Sequence, residues 1–281
     1  MKTAPELALR QLTLQFIGNA TTLLRCGPFT LLTDPNFLHR GQRAYLGKGL
    51  FTRRLADPAL SVDRLPRLDA VVLSHLHGDH WDRVATAKLD RGLPVVTTPA
   101  AARRLQGRHR FRRAVGLRTW ESHTLVKDAL MLRITAMPGQ HAPGPVRRLL
   151  PPVMGSLLEF SPVAGDVQFR LYITGDTLMY DGIQQIARHS RGIDLAVLHL
   201  GGTKLPGGLL VSMDAAQGAD LLETLRPANA VPVHYDDYGV FSSSLDDFRR
   251  ELERRGLAGD VTYVGRGEVR TFNHRLINHR S

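Results

Sequence analysis

The amino-acid sequence predicts an α/β fold in which layered sheets carry helices on their outer faces. Short apolar runs alternate with turn residues along the chain, which is typical of strands. Between them lie amphipathic segments with recognisable caps, which is typical of helices. Helices packed outside layered sheets bury the apolar faces of both kinds of element. With 281 residues, 43% of them apolar, the chain can bury one sizeable core, and we expect residues 1–281 to form a single domain.

The predicted strands are of two kinds. LMLRITA at 130–136 and QFRLYIT at 168–174 alternate with a period of two, whereas DAVVLS at 69–74 is a continuous apolar run, as expected for a strand buried on both faces. The first three strands are joined by tight turns at Gly18-Asn19 and Gly27-Pro28. The full set of predicted strands is 12–17, 21–25, 30–34, 69–74, 130–136, 168–174, 195–200 and 230–234.

Two helices are predicted from their caps. The helix over 215–225 follows Asp214, a good N-cap residue. The helix over 244–255 starts with a capping-box-like Ser244 and ends at Gly256. Both have polar residues on the opposite side of an apolar stripe, so we expect them to pack on the outside of a sheet.

Composition excludes several classes of protein. One cysteine, Cys26, makes an intramolecular disulfide impossible and favours a reduced, cytoplasmic setting. No run approaches the ~18 apolar residues of a membrane span, and the N-terminal segment, interrupted by Pro5 and Glu6, does not resemble a secretory signal. Oligomeric state is left open.

The charge of the chain is strongly basic. Lys and Arg number 37 against 26 Asp and Glu, a formal net charge of +11. Such a field attracts polyanions and phosphorylated small molecules. An alternative is that a GC-rich genome encodes an ordinary basic surface with arginine, and composition alone leaves both open.

The segment SHLHGDHWD at 74–82 contains a cluster of residues that commonly bind metal ions. It places His75, His77, Asp79 and His80 within six residues, directly after a predicted buried strand. Imidazole suits Zn, Mn or Fe, and a carboxylate adds a hard oxygen ligand. The spacing therefore predicts a metal site at the end of this strand.

Further candidate ligands follow other predicted strands. His141 in MPGQHAPG and Asp176 in ITGDT follow the ends of predicted strands, and His234 in VPVHYDDYG is the last residue of one. One such residue would be weak evidence, since a lone histidine is often a core residue. Three such residues, together with the four of the 74–82 cluster, give enough ligands for a site that binds two metal ions.

These motifs resemble the metallo-β-lactamase superfamily. HLHGDH fits its HxHxDH signature, and FIGNATTLL, TDPNF, PGQH and TGDT are similar to the branch that holds the L-ascorbate-6-phosphate lactonase and the N-acyl-phosphatidylethanolamine-hydrolysing phospholipase D. The likeness runs from about Leu14 to Phe248. One departure is Asn19, where the phospholipase-like members usually carry histidine. The resemblance implies an αββα sandwich of two mixed sheets flanked by helices.

The resemblance also implies a ligand set for two divalent ions, Zn or Mn, with Fe possible. His75, His77 and His141 would hold one ion; Asp79, His80 and His234 would hold the other; and Asp176 would bridge them. Two such ions ~3.5–4 Å apart share a water and lower its pKa, so that a metal-bridging hydroxide is the nucleophile. Asp79 is the predicted catalytic residue, because it can orient the hydroxide or take its proton.

Substrate-binding candidates have structural alternatives. The guanidinium of Arg147 could hold a phosphate by two parallel hydrogen bonds, or Arg147 could lie in a surface loop. His199 could face the substrate, support a ligand or be a core residue. The Tyr238 hydroxyl could assist the leaving group or cap a buried network. Residues 103–118 carry seven arginines around Phe111 and could grip phosphate or stack a base, or could be a solvated helix and turn.

The favoured function is a phosphodiesterase on a small, anionic, phosphate-bearing substrate, such as a cyclic nucleotide or short dinucleotide; long nucleic acid is not expected. A lactonase for a phosphorylated sugar acid would use the same hydroxide on a carbonyl. A lipid phosphodiesterase is a further alternative, although no segment reads as a membrane-docking helix. A basic scaffold that binds nucleic acid without cutting it would not need all seven ligand positions.

Overall fold

Two mixed β-sheets lie face to face in the computed structural model, which describes residues 7–205 and 207–274. The first sheet contains β1 (Gln11–Gly18), β2 (Thr21–Cys26), β3 (Phe29–Thr33), β6 (Ala70–Val72), β7 (Val95–Thr97), β8 (Ala114–Gly116) and β15 (Val269–Asn273). The second contains β9 (Ser122–Lys127), β10 (Leu130–Met137), β11 (Gly155–Pro162), β12 (Phe169–Ile173), β13 (Leu195–His199) and β14 (Ala230–Val233). A separate hairpin pairs β4 (Arg43–Gly47) with β5 (Leu50–Arg53).

Both sheets combine antiparallel and parallel pairs. The first has the order β15-β1-β2-β3-β6-β7-β8 and becomes parallel from β3 onward. The second has the order β14-β13-β12-β11-β10-β9 and is parallel between β12 and β14. Parallel strands bring their carboxyl ends to one edge of a sheet, and in both sheets that edge carries the predicted ligands.

The largest apolar cluster lies between the sheets. Leu14 and Leu31 of the first sheet belong to it together with Leu132, Leu171 and Val197 of the second, all at most 1% exposed. These residues alternate with outward-facing neighbours along their strands, as the period of two requires.

Helices cover the outer faces. On the first sheet lie α1 (Arg83–Lys88) and α2 (Pro99–Gly107), and on the second lie α3 (Asp181–His189), α4 (Ala215–Leu225) and α5 (Leu245–Arg255). Phe248 and Leu252 of α5 pack into the outer cluster of the second sheet. Within the described chain, no helix has the length and apolar character that crossing a membrane requires. The predicted αββα sandwich of two mixed sheets is confirmed.

The sequence located most of the elements that build the core and missed several short ones, including the buried strand β7. All eight predicted strands and both predicted helices are present, and α5 has the full Ser244–Asp247 capping box. The strands β7 and β8 have three residues each, too few to show a period, and β9 is largely exposed. The N-terminal segment judged not to be a signal lies partly outside the described residues, as do both ends of the predicted 1–281 domain.

Candidate metal centre

The loop after β6 is shaped by one glycine and a helix cap. The amide of Gly78 donates to the carbonyl of Tyr45 at 2.9 Å, and a Cβ at Gly78 would lie 2.7 Å from the backbone nitrogen of Tyr45. Only glycine fits this close approach of two backbones. Asp82 then caps α1 by accepting from the amide of Ala85 at 2.7 Å. Both contacts fix the loop that carries His75, His77, Asp79 and His80.

Three imidazoles form the first ligand group. His75 Nε2 lies 2.9 Å from His77 Nδ1, which in turn lies 3.2 Å from His141 Nε2. His141 comes from the loop after β10, on the second sheet. The group therefore joins the two sheets across the edge of the sandwich.

A second group lies beside the first. His80 Nε2 is 3.1 Å from His234 Nε2, and His234 Nε2 is 3.4 Å from Asp79 Oδ2. Asp176 Oδ2 lies 3.2 Å from His80 Nε2, and Asp176 also groups with His75. The structure thus brings all seven predicted ligand residues together, with Asp176 placed between the two groups.

Each of four imidazoles has an outer hydrogen-bond partner at Nδ1. His141 pairs with the carbonyl of Val211 at 2.6 Å and His234 with that of Leu200 at 2.9 Å. The partner of His80 is Asp34 Oδ2 at 3.0 Å, and that of His75 is Ser74 Oγ at 3.0 Å. A proton on Nδ1 leaves the Nε2 lone pair directed at the centre, which is how outer-shell partners orient metal-binding histidines.

Asp34 is a site residue that sequence reasoning missed. It lies directly after β3, and its carboxylate accepts from the amide of Ser74 at 2.7 Å, as well as from His80. His199, a predicted substrate-binding candidate, is fully buried with Nε2 3.1 Å from Asp34 Oδ2. Asp34 has a left-handed φ of 34°, and nothing local in the TDPN segment marks this aspartate as a support for the predicted ligands.

The first group is held neutral by its surroundings. Burial and the charges of His80 and His77 lower the pKa of His75 well below its usual value. Burial and the neighbouring His141 lower the pKa of His77 to about 3. Neutral imidazoles have the free lone pairs that a cation needs.

The second group combines opposite charges. Burial opposes protonation of His80, but the carboxylates of Asp176 and Asp79 raise its pKa well above the usual value. Burial likewise opposes ionisation of Asp176, but His234 and His80 hold its pKa well below the usual value. A divalent cation could bind here to the ionised carboxylates and displace the protons of the imidazoles.

Polar atoms without partners test whether this donor set fits metal ions. His77 Nε2, Asp79 Oδ1 and Asp176 Oδ1 are buried and have no hydrogen-bond partner. In addition, His77 Nδ1 faces the Nε2 atoms of His75 and His141, all on imidazoles of lowered pKa. Buried polar atoms normally have partners, so orphaned oxygens and facing lone pairs fit divalent cations.

A cavity of about 360 Å³ opens beside the centre. Four predicted ligands form its floor, namely His77, Asp79, His141 and Asp176. Its mouth lies between the β4–β5 hairpin and the segment around the 3₁₀ turn Gly144–Leu149. The other lining residues are Leu46, Gly47, Lys48, Leu50, Phe51, Val146, Leu149, Leu150, Thr203, Lys204, Leu205, Val211 and Val240.

The substrate-binding candidates from sequence lie outside this lining. Arg147 belongs to the 144–149 turn, where its neighbour Val146 lines the cavity. Tyr238 is 1% exposed, and its hydroxyl donates to Asn36 Oδ1 at 2.9 Å. His199 lies behind the second group, against Asp34.

The Arg-rich segment 103–118 spans the end of α2 and strand β8. Phe111 is fully buried, 5.0 Å from the Trp81 ring, with the Arg91 guanidinium 4.5 Å from its ring centre. The suggestion that Phe111 stacks a base is therefore wrong, because packing against Trp81 removes it from solvent. Trp81 is itself 5% exposed and packs against Phe111.

Asn19, the departure from the phospholipase-like pattern, joins two of the predicted ligands. Its side-chain Nδ2 donates to the backbone carbonyl of Asp79 at 2.7 Å, and its own carbonyl accepts from the amide of His234 at 2.8 Å. Its φ of 53° is left-handed, a conformation that asparagine tolerates. Asn19 therefore fixes the spacing between Asp79 and His234.

The four-layered fold and the histidine–aspartate centre define a metal-dependent hydrolase of the metallo-β-lactamase class. Residues 30–235 match the family described as "Beta-lactamase superfamily domain", so the chain belongs to that superfamily. The narrower likeness to the lactonase and phospholipase D branch stays a prediction.

A relative agrees with this assignment, and solved structures share the fold. A UPF0173 metal-dependent hydrolase of Deinococcus radiodurans is 28% identical over 264 residues, covering 92% of this chain and 98% of the relative. An isothiocyanate hydrolase from Delia radicum gut bacteria shares the fold, with a TM-score of 0.76 at 20% identity over 93% of this chain and 99% of that one. A possible metal-dependent hydrolase from Veillonella parvula has a TM-score of 0.76 at 23% identity, covering 94% and 99%.

Proposed function

We propose that the chain is a dinuclear metal-dependent phosphodiesterase for small organic phosphodiesters, cyclic nucleotides and short dinucleotides among them. In this proposal His75, His77 and His141 would hold one ion, Asp79, His80 and His234 would hold the other, and Asp176 would bridge them. The proposed ions are Zn or Mn, with Fe possible, because the set contains imidazole and carboxylate ligands and no thiolate.

One observation carries the proposal: the two ligand groups are adjacent and open on the same cavity. His75, His80 and Asp176 form a group that overlaps both others, with ligand atoms within 4.8 Å of one another. Two divalent cations would supply an activated water and clamp the attacking and leaving oxygens of a phosphodiester.

The chain's own residues position the reaction. His77, Asp79, His141 and Asp176 line the floor, so a scissile group in the cavity lies against them. Asp79 Oδ1 has no hydrogen-bond partner, which leaves it free to orient the nucleophile or take its proton. Asn19 and Asp34 would hold Asp79 and His80 in place from behind.

The size of the cavity supports a small substrate. A volume of about 360 Å³ is at the lower end of small-molecule sites. The proposal therefore favours a small phosphodiester over long nucleic acid, in agreement with the expectation from sequence.

A lactonase is the second candidate, and the aliphatic lining of the cavity favours it. The same floor could direct an activated water at a carbonyl carbon. Most of the mouth is Leu and Val, which suits the carbon ring of a lactone better than a nucleotide base.

The test is p-nitrophenolate release from bis(p-nitrophenyl) phosphate by metal-stripped protein that is reloaded separately with Mn²⁺ and Zn²⁺. Asp176→Asn protein, loaded in the same way, is the control. Metal-dependent release that the variant lacks supports the phosphodiesterase. If protein shown to bind two ions releases no p-nitrophenolate with Mn²⁺ or with Zn²⁺ but opens lactones, the lactonase replaces the phosphodiesterase as the proposed function.

A further inference from the structure

Two lysines at the mouth of the cavity differ from the other described lysines. Lys88 is paired with Asp63, and Lys127 lies 2.8 Å from Asp69. Lys48 and Lys204 both line the cavity, and neither ammonium group has a hydrogen bond or ion pair to any residue that the structure describes. They belong to different parts of the chain, so the fold brings two unpaired cations to one mouth.

The charge of the cavity then favours an anion. Among the described residues of its lining, the acidic ones are Asp79 and Asp176, both proposed metal ligands whose charge the cations would neutralise. The charges of Lys48 and Lys204 are left without a counter-charge in the lining. An anionic ligand would supply it.

The rest of the mouth is apolar and open to solvent. Phe51 is 61% exposed and Leu50 41% on the hairpin, and Leu149 is 60% exposed on the opposite wall. Large apolar side chains so exposed around a concave site mark a ligand-binding surface. An apolar body between these walls would gain from the area it removes from water.

We propose that the substrate is a small amphiphilic anion, whose apolar body lies between the β4–β5 hairpin and residues 144–150 and whose anionic group is held by Lys48 and Lys204. The identity of the bond that is cleaved rests on the proposed function. The recognition itself does not, because it uses residues outside the metal centre.

Binding of alkanesulfonates to metal-loaded protein tests this, since these amphiphilic anions are not hydrolysed. In calorimetric titrations, the affinity should rise from ethane- to pentane- to octane-1-sulfonate, by up to about fourfold per methylene. Lys48→Gln and Lys204→Gln should each weaken octane-1-sulfonate binding by about fivefold and leave octan-1-ol binding unchanged. Lys88→Gln and Lys127→Gln are the matched controls, and they should leave the binding of both octane-1-sulfonate and octan-1-ol unchanged.

A hairpin variant separates the apolar part from the charge. Phe51→Ala should weaken octane-1-sulfonate while ethane-1-sulfonate keeps its affinity. Affinity that does not depend on chain length, or that Lys48→Gln and Lys204→Gln leave intact, would overturn the inference, as would the absence of octane-1-sulfonate binding.

Turnover of p-nitrophenyl phosphodiesters whose alkyl chain ends in a sulfonate, so that the scissile phosphate and the anion at the two lysines are different groups, distinguishes this inference from the proposed function. If these diesters are not cleaved but the sulfonate pattern holds, the phosphodiesterase is wrong and the substrate class stands. If they are cleaved at a rate that does not depend on chain length or on the two lysines, the phosphodiesterase stands and the substrate class is wrong.

Discussion

The metal centre and the mouth of its cavity differ in how firmly their side chains are held. The seven proposed ligands are at most 7% exposed, and four of the imidazoles are fixed by an outer partner. At the mouth, Phe51 and Leu149 are mainly exposed, and Lys48 and Lys204 have no partner among the described residues. In the proposed function, the reaction would depend on this buried floor, and substrate selection would depend on a rim whose side chains have fewer contacts.

This difference predicts that substitutions in the two regions will change different properties, namely metal affinity or stability at the floor and ligand binding at the mouth. A floor residue that loses its partner leaves a buried polar atom unsatisfied, which costs metal affinity or stability. A rim residue is solvated in the free protein, so its replacement changes ligand binding and little else. The following variants are ordered from the largest expected effect to the smallest.

Removing a floor ligand should abolish turnover. We expect His77→Ala to reduce p-nitrophenolate release to background and to bind fewer than two ions per chain, because the first group loses its central nitrogen. Metal analysis and circular dichroism measure ion content and fold. Full activity in both His77→Ala and Asp176→Asn would refute the dinuclear centre.

A buried arginine connects the hairpin to the floor, and its loss should destabilise the protein. Arg54 is fully buried, donates to Asn36 Oδ1 and lies 3.6 Å from Asp237 Oδ1. Arg54→Met should lower the free energy of unfolding by about 1–3 kcal/mol, since Asn36 Oδ1 and Asp237 lose a buried charged donor but keep Tyr238 and Arg266 as partners. Urea unfolding measures this, with the exposed Arg118→Met as a control expected within about 0.5 kcal/mol. Equal losses in the two variants would contradict it.

Weakening the outer support of a ligand should reduce metal affinity without abolishing binding. Asp34→Asn removes the charge that faces His80 and His199, and we expect metal affinity to fall about 10–100-fold. Competition with a chromogenic chelator gives the affinity. Asp69→Asn, which alters an aspartate paired with Lys127, is the matched control. An unchanged affinity in Asp34→Asn would mean that Asp34 does not support the centre.

The smallest effect is expected at the rim. Leu149→Ser should change the free energy of unfolding by less than about 0.5 kcal/mol and leave ion content unchanged, because the side chain is 60% exposed. Urea unfolding and metal analysis check both. A loss above 1 kcal/mol would show that the mouth is held as firmly as the floor.

The same contrast explains what could be predicted from sequence. The floor was predictable because metal ligands come from few residue types and because the HLHGDH spacing and the strand-end positions of His141, Asp176 and His234 are local patterns. Asp34 was not, since its role depends on β3 pairing with β6, which brings it to Ser74. No local pattern joins Lys48 to Lys204, because only the fold places them at one cavity.

The contact at Gly78 has a consequence for how this enzyme could acquire new substrates. The backbone of Tyr45 is seated directly on the ligand loop, and Arg54 fixes the other end of the hairpin beside Asn36. Between these two anchors, the strand ends and the turn at residues 48–49 supply five residues of the cavity lining, namely Leu46, Gly47, Lys48, Leu50 and Phe51. In the proposed recognition, one wall of the mouth would therefore be a short insert with fixed ends, which natural variation or a directed library could change while the ligand loop is kept.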